Sequence, residues 1–471
     1  MPRLTSKLVY LLAAAAVLMS CAGPTATRVV RRHPGVWQSQ GYGYVLAVDG
    51  RRVRLFDVAG DVCVEQRDLD ASVLPFFDRA RLEPDGATMV LASALDSYEF
   101  RFARAPALPR ACTPPTANTP RANFEAFAAF FAHHYAFFGL YGVDWASRVA
   151  AARERVTGAT DDAALFAVLR ELVLPLTDSH IKIEAEFAGA KHVHDGDEGP
   201  LERSLAADAA RRGVEPRQAI AEFRRAYWFD GIGQALLAGR GTVAANQRIQ
   251  YGMLPGDVGY LALVSMGGFV DGDYDSLRAE LPALDAAMEA ALALFAEKGA
   301  HSVIVDASLN IGGYDFIALA LAGRFAAAPA LAYTRRAADD PQAREFAIHV
   351  EPAKGRRFLG QVYVMTSSET VSAGEILTLA LRALPNGHHA GELTRGAFST
   401  VLEKRLPNGW LVGLSNERYT DPQGECWEGR GIPPQIPLPV FGPENHDGHV
   451  AAIRALLVQI GKDAEIRSTL Q

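Results

Sequence analysis

The sequence lacks most of what would give a quick assignment. Beyond its N-terminal residues, no run of ~20 uninterrupted apolar residues occurs, so no membrane-spanning helix is expected there. No Lys/Arg run or basic stripe stands out and the formal net charge is −7, which argues against nucleic acid as a partner. No nucleotide-binding signature is found. Cysteine is scarce, four residues in all, so each can be considered singly. What remains is a chain of 471 residues, 49% apolar and 21% charged, with enough apolar residues for a globular core. At ~150 residues per domain that length allows two to four domains.

The N-terminus differs from the rest. Arg3 and Lys7 precede the apolar run Leu8–Met19, and Ser20 and Cys21 follow. A basic start, a short apolar stretch and a small residue describe a secretory signal. The ending Leu18-Met19-Ser20-Cys21 also resembles the bacterial lipobox, which implies a signal peptide at 1–20, a lipidated Cys21 and a tether at 21–32. Two or three acyl chains would anchor the protein to a membrane, since one chain is marginal. The alternative is an ordinary signal peptide. The expected location is the periplasmic side of a bacterial envelope. The outer membrane is favoured because Ala22, not aspartate, follows Cys21. An exported chain meets an oxidising compartment, so Cys63 and Cys112, both in the first folded region, are expected to pair, leaving Cys426 single.

Residues 33–112 read as a small antiparallel β domain. The alternating runs Tyr44–Val48, Arg52–Phe56 and Thr88–Leu91 are separated by turn signals such as Asp49-Gly50 and Asp85-Gly86. A proline-rich linker at 113–120 follows. Residues 121–187 read as a helical subdomain with Phe124, Phe127, Phe130, Phe131 and Tyr135 on one stripe, and Asp161-Asp162 starting a second helix. Residues 188–250 read as a mostly helical connection. Within it His192–Glu198 looks like a ligand cluster, but its spacing fits no metal set and a solvated loop is expected. From 251 to 442 strand and helix alternate: Val258–Val264, Leu281–Lys298, Ser302–Asp306, Phe316–Phe325, Gln361–Met365 and Ser372–Leu384. Such alternation predicts an α/β layer built of parallel βαβ units. A C-terminal helix at 443–471 completes the chain.

Three motifs in the α/β region carry chemistry. Asp306–Gly313 ends a strand with Asn310-Ile311-Gly312-Gly313, and two glycines allow close approach to backbone N–H groups. Ser372-Ala373-Gly374-Glu375 opens a helix, where unpaired N–H groups suit an oxyanion; the same spacing is also a capping box, a structural device. Gly391–Ala397 and then Trp427–Pro434 supply a glycine turn and an acidic residue in a Gly/Pro-rich loop.

Taken in order, these motifs resemble the tricorn-core and C-terminal-processing serine peptidases over about 251–441. Asn310, Gly312 and Gly313 match the glycine turn, with Ile311 departing. Ser372, Ala373 and Glu375 match the nucleophile motif, and Glu428, Gly429, Gly431, Ile432 and Pro434 match the closing one. No PDZ-type insertion is seen. The resemblance implies a crotonase/ClpP-like core and a serine endopeptidase acting on proteins or peptides without a cofactor or metal. The lysine of the Ser–Lys branch is replaced by Ala397, and Lys404, in an expected exposed strand, does not align. Ser179-His180 matches the tricorn-like pattern instead. The resemblance then implies Ser372 as nucleophile, His180 as base and Ser179 assisting. Glu428, or else Glu425 or Asp421, would orient the base, and Gly312 and Ala373 would donate to the oxyanion. The alternatives are a catalytically inactive protein of this fold binding a peptide or small apolar ligand, and a crotonase-like acyl-thioester enzyme, against which the export signal argues.

Overall fold

The computed structural model describes residues 25–50, 52–66, 77, 79–93, 99–272, 277–441 and 448–470. The signal segment and Cys21 lie outside them. Where the tether was expected, Thr25–Arg31 is a helix, and Ala26 and Val30 are fully buried. Val30 packs into the β domain beside Trp37, Leu46 and Met89. The apolar face of that segment, once near a sheet, outweighs its reading as a spacer.

The β domain is an open sheet of seven antiparallel strands in the spatial order Val62–Glu65, Arg52–Ala59, Tyr44–Asp49, Gly35–Ser39, Glu99–Ala105, Thr88–Ala92 and Arg79–Leu82. The Asp49-Gly50 and Asp85-Gly86 turns each close a hairpin. Cys63 and Cys112 are joined by a disulfide, which ties an edge strand to the segment leading out of the domain.

The helix Pro120–His134 starts at Thr119, whose side chain accepts from Ala122 N–H at 3.2 Å, and Pro120 fits its first turn. Its four phenylalanines are fully buried. Asp161 caps the helix Asp162–Val173 in the same way. The region departs from the expected pattern at its end. Lys182–Phe187 and Ala190–Asp195 form a β-hairpin rather than helix and loop. His192 stacks on Phe187 with ring centroids 3.7 Å apart, so it belongs to this hairpin and not to a solvated loop. Pro200–Arg212 and Pro216–Arg225 are helices, and Ala226–Leu236 continues the second as a π-helix.

The α/β region is a seven-stranded sheet with five parallel neighbours: Val258–Leu263, Ser302–Asp306, Gln361–Thr366, Gly387–Gly391 and Ile436–Pro437. Every residue of its first two parallel strands is buried, as a sheet covered on both faces requires. Val303 and Val305 face helices Leu277–Glu297, Asp315–Gly323 and Ala373–Arg382. Ile304 faces the π-helix and the C-terminal helix Gly448–Leu470. Among the described residues no helix is long and apolar enough to cross a membrane.

Two joints connect this core to what precedes it. Lys182–Phe187 adds to the hairpin Val401–Arg405/Leu411–Ser415, with Ile183 opposite Val412, which fixes the segment just before it, His180, against the α/β half. Lys404 is fully buried rather than exposed. It pairs with Asp57 of the β domain at 3.0 Å and lies 3.6 Å from the centre of the Tyr44 ring.

Candidate active site

Ser372 sits between the strand Gln361–Thr366 and the helix Ala373–Arg382, in a backbone conformation of φ 58° and ψ −124°. A residue with a Cβ adopts a positive φ at a cost of about 1–3 kcal/mol, and such strain concentrates at functional sites. A serine serving only as a helix cap needs no such strain, because the capping geometry is ordinary extended backbone. Glu375 explains how the turn is held. Its carboxyl accepts from Ser372 N–H at 3.2 Å, as in a capping box. It also accepts from Gly396 N–H at 2.6 Å and Ala397 N–H at 2.8 Å. Burial pushes its carboxyl up to about 7. The fourth residue of the Ser-Ala-x-Glu pattern therefore locks residues 396–397 behind the serine, and Ser372 N–H in turn donates to Ala397 O at 3.1 Å.

The glycine turn presses against this serine. A Cβ on Gly312 (φ 83°) would lie 2.7 Å from Ser372 Cβ and 3.2 Å from its Oγ, so only glycine permits the approach. The Gly312 N–H, one of the two oxyanion donors named from sequence, donates to Asn310 Oδ1 at 3.0 Å and is thereby occupied. Among the described residues, the Ala373 N–H and the N–H of the exposed Gly313 have no protein acceptor.

His180 is buried, 3% exposed, and a ring nitrogen faces the Ser399 backbone. The ligand-type atoms of Asp178, His180 and Glu428 all lie within 4.8 Å of one another. Asp178 accepts from the His180 backbone N–H at 2.8 Å and from Tyr135 OH at 2.9 Å. Glu428 Oε2 accepts from Phe398 N–H at 3.0 Å and Ser399 N–H at 3.1 Å, while Glu428 Oε1 has no donor among the described residues. Burial pushes His180 below its ordinary value, with Asp178 opposing. Burial, reinforced by Asp178, pushes the Glu428 carboxyl well above the carboxylate range. Burial thus keeps the imidazole neutral, the form in which a histidine can accept a proton. The same three side chains have the donor types for a divalent cation, but both Asp178 oxygens already accept from protein donors.

The nucleophile turn and the histidine cluster meet through one short segment, Gly396–Ser399. Ser372 and Glu375 hold residues 396 and 397, and Glu428 and His180 hold residues 398 and 399. The other acidic candidates stay outside. Glu425 is exposed and pairs with Arg430 at 3.2 Å, and Asp421 accepts from Gln423, Glu425 and Trp427 within its own turn. Ser179 does not turn toward the nucleophile: its hydroxyl donates to Asp197 O at 2.9 Å. Asp178 was missed in the sequence although it stands two residues before the histidine. An acidic residue at that spacing is unremarkable until burial and the Tyr135 bond are seen. Cys426 is a free thiol, which burial pushes up.

The model of peptidase family S41 matches residues 257–438. A candidate peptidase from Parabacteroides merdae is similar in fold, with a TM-score of 0.55 at 21% identity over 73% of this chain and 96% of that one. Mature CPAF, in complex with lactacystin, is similar with a TM-score of 0.52 at 13% identity over 73% of this chain and 99% of that one. No curated protein matches the sequence.

Proposed function

Because the chain carries a peptidase family S41 domain and is by family a serine-type peptidase, we propose that it is an endopeptidase of the Ser–His–Glu kind, with Ser372 as nucleophile and His180 as base. One observation carries the reading: the strained serine and the buried Asp178–His180–Glu428 cluster are held by the same four residues, Gly396–Ser399. In this reading His180 takes the Ser372 hydroxyl proton as Oγ bonds to the substrate carbonyl carbon. The carbonyl oxygen becomes an oxyanion facing the Ala373 and Gly313 N–H groups. His180 then returns the proton to the departing amine, leaving an acyl-enzyme on Ser372. A water molecule, deprotonated by His180, hydrolyses that ester. Glu428 orients the ring, and Asp178 fixes its loop through the His180 N–H. Lys404 takes no part, since it is sequestered with Asp57 in another joint.

The protein is further proposed to be exported and lipid-anchored through Cys21, on the periplasmic side of a bacterial envelope. This rests on Arg3, Lys7, the run Leu8–Met19 and the Leu18–Cys21 pattern. The substrate is then a protein or peptide of that compartment. The test is a fluorophosphonate probe followed by peptide mapping. Labelling at Ser372, absent from Ser372→Ala and strongly slowed in His180→Ala, is expected. A folded protein that takes no label would support the binding-protein alternative. Mass spectrometry of the mature N-terminus should find a diacylated Cys21, and a free Cys21 in the envelope-extracted protein would refute the anchor.

A further inference from the structure

Ser372 and His180 come from segments 192 residues apart, and the contacts of Gly396–Ser399 are not all that joins their loops. One side chain joins them as well. Arg395 lies in the glycine turn Gly391–Ala397, and its side chain is 11% exposed. Its Nε donates to Ser368 O at 2.6 Å, and its Nη2 lies 2.9 Å from Glu369 Oε1. Both partners belong to the loop that delivers Ser372, and Arg395 N–H also donates to Thr370 O at 3.0 Å. The remaining arm, Nη1, reaches Asp197 O at 3.3 Å and Ser179 Oγ at 3.5 Å, next to His180. Ser179 Oγ itself donates to Asp197 O, so Arg395, Ser179 and Asp197 close a small network over the histidine loop.

A guanidinium suits this place. Its planar fork presents donors in several fixed directions, which an ammonium on a flexible stem does not. Glu369 is 2% exposed, and burial pushes its carboxyl up to about 7 against the pull of Arg395. The pair is therefore held in a desolvated place where a missing partner is felt.

We propose that Arg395 is a positioning residue for peptide hydrolysis, clamping the nucleophile loop Ser368–Thr370 to the histidine loop at Ser179. The inference rests on the assignment of Ser372 and His180 above. It recasts Ser179 as the receiver of the clamp rather than a participant in proton transfer.

The test uses the full chain and three variants. Arg395→Met removes the clamp, Arg395→Lys keeps a cation beside Glu369 without the fork, and Glu369→Gln removes the charge but not the link to Ser179. Arg395→Met is expected to lower kcat about 10–100-fold, as a displacement near 1 Å of reacting groups does, with KM changed less than about twofold. Arg395→Lys should recover thermal stability but not kcat, and Glu369→Gln should keep most of kcat. Hydrogen exchange in peptides spanning 177–183 should speed up in Arg395→Met, while peptides of the β domain stay unchanged. Wild-type kcat in Arg395→Lys, or unchanged exchange at 177–183 in Arg395→Met, overturns the proposal. If Arg395→Met takes the fluorophosphonate on Ser372 at the wild-type rate, the clamp is refuted and the serine-peptidase reading stands. If the wild type neither labels nor cleaves, both fall.

Discussion

Two buried charged clusters in this chain have opposite characters. Lys404 and Asp57 are both fully buried and fully occupied: Asp57 accepts from Lys404, from the Arg405 N–H at 3.1 Å and from Gln66 at 2.7 Å, and the ammonium also lies on Tyr44. Asp178, His180 and Glu428 are just as buried, but two carboxyls flank one imidazole and Glu428 Oε1 is left without a donor. Satisfying every charge makes a joint between domains. Leaving a buried acceptor open beside a neutral base makes a place where protons can move. The contrast also explains why Lys404, although a lysine near a serine-peptidase motif, is not the general base: burial lowers its proton affinity, with Asp57 opposing, but its Nζ is committed to Asp57 and the Tyr44 ring in the joint with the β domain.

The largest effects should separate the two clusters by kind. His180→Ala is expected to lower kcat/KM by several orders of magnitude while leaving the unfolding midpoint near wild type, read from peptide hydrolysis and denaturant unfolding. The wild-type profile should also show where His180 titrates. Burial lowers its proton affinity, so the base stays neutral below pH 6.5, and activity is lost only as pH falls further, through its lowered value. An acid limb centred above 6.5 would contradict that placement. Lys404→Ala should act on stability instead, by about 3–5 kcal/mol, because it strands Asp57 without its cation. Lys404→Met with Asp57→Leu should recover most of that loss, since an apolar pair of similar volume is often neutral. If Lys404→Ala abolished hydrolysis in a folded protein while His180→Ala did not, the comparison would reverse.

The disulfide ranks next. Cys63 and Cys112 close a loop with a sequence separation of 49 in the β domain and share no contact with Ser372 among those described. Replacing both by alanine should destabilise that domain by about 2–4 kcal/mol, seen as an earlier transition of β-domain exchange. Hydrolysis by the remaining folded molecules should be unchanged.

How far the sequence reaches differs between the same regions. The parallel strands were legible because burial on both faces writes a continuous apolar run, as in Ser302–Asp306. Ser372, His180 and Glu428 could be put forward only through ordered motifs, since each stands in a local pattern that has a structural use. Other features were not. The burial of Lys404 is set by a strand from another domain 347 residues away in sequence. The strand Lys182–Phe187 pairs along its whole length with Ala190–Asp195, a local hairpin, but its second neighbour, Leu411–Gly413, lies outside any window around 182. The occupied Gly312 N–H follows from the Asn310 side chain turning back on its own loop, a rotamer choice that spacing does not express.

The smallest effect gives the most delicate check, because Glu403 sits one residue from Lys404 and burial pushes it, like Lys404, toward its neutral form. Burial comes first among its influences and pushes its carboxyl up to about 8, with Lys182 opposing and Glu184 and Asp57 adding to the rise. The folded chain therefore binds a proton here that the unfolded chain has released above pH ~4.5. That difference makes stability fall as pH rises from about 4.5 toward 8, whereas a carboxyl held low would make it rise. Glu403→Gln should be close to neutral at pH 5, within about 0.5 kcal/mol. It should become relatively stabilising by pH 8, with the slope of stability against pH reduced across that window. Denaturant midpoints of wild type and Glu403→Gln at pH 5, 6.5 and 8 decide it. Parallel pH dependences would mean that Glu403 is as solvated as an ordinary surface carboxylate and that desolvation at this joint stops at Lys404 and Asp57.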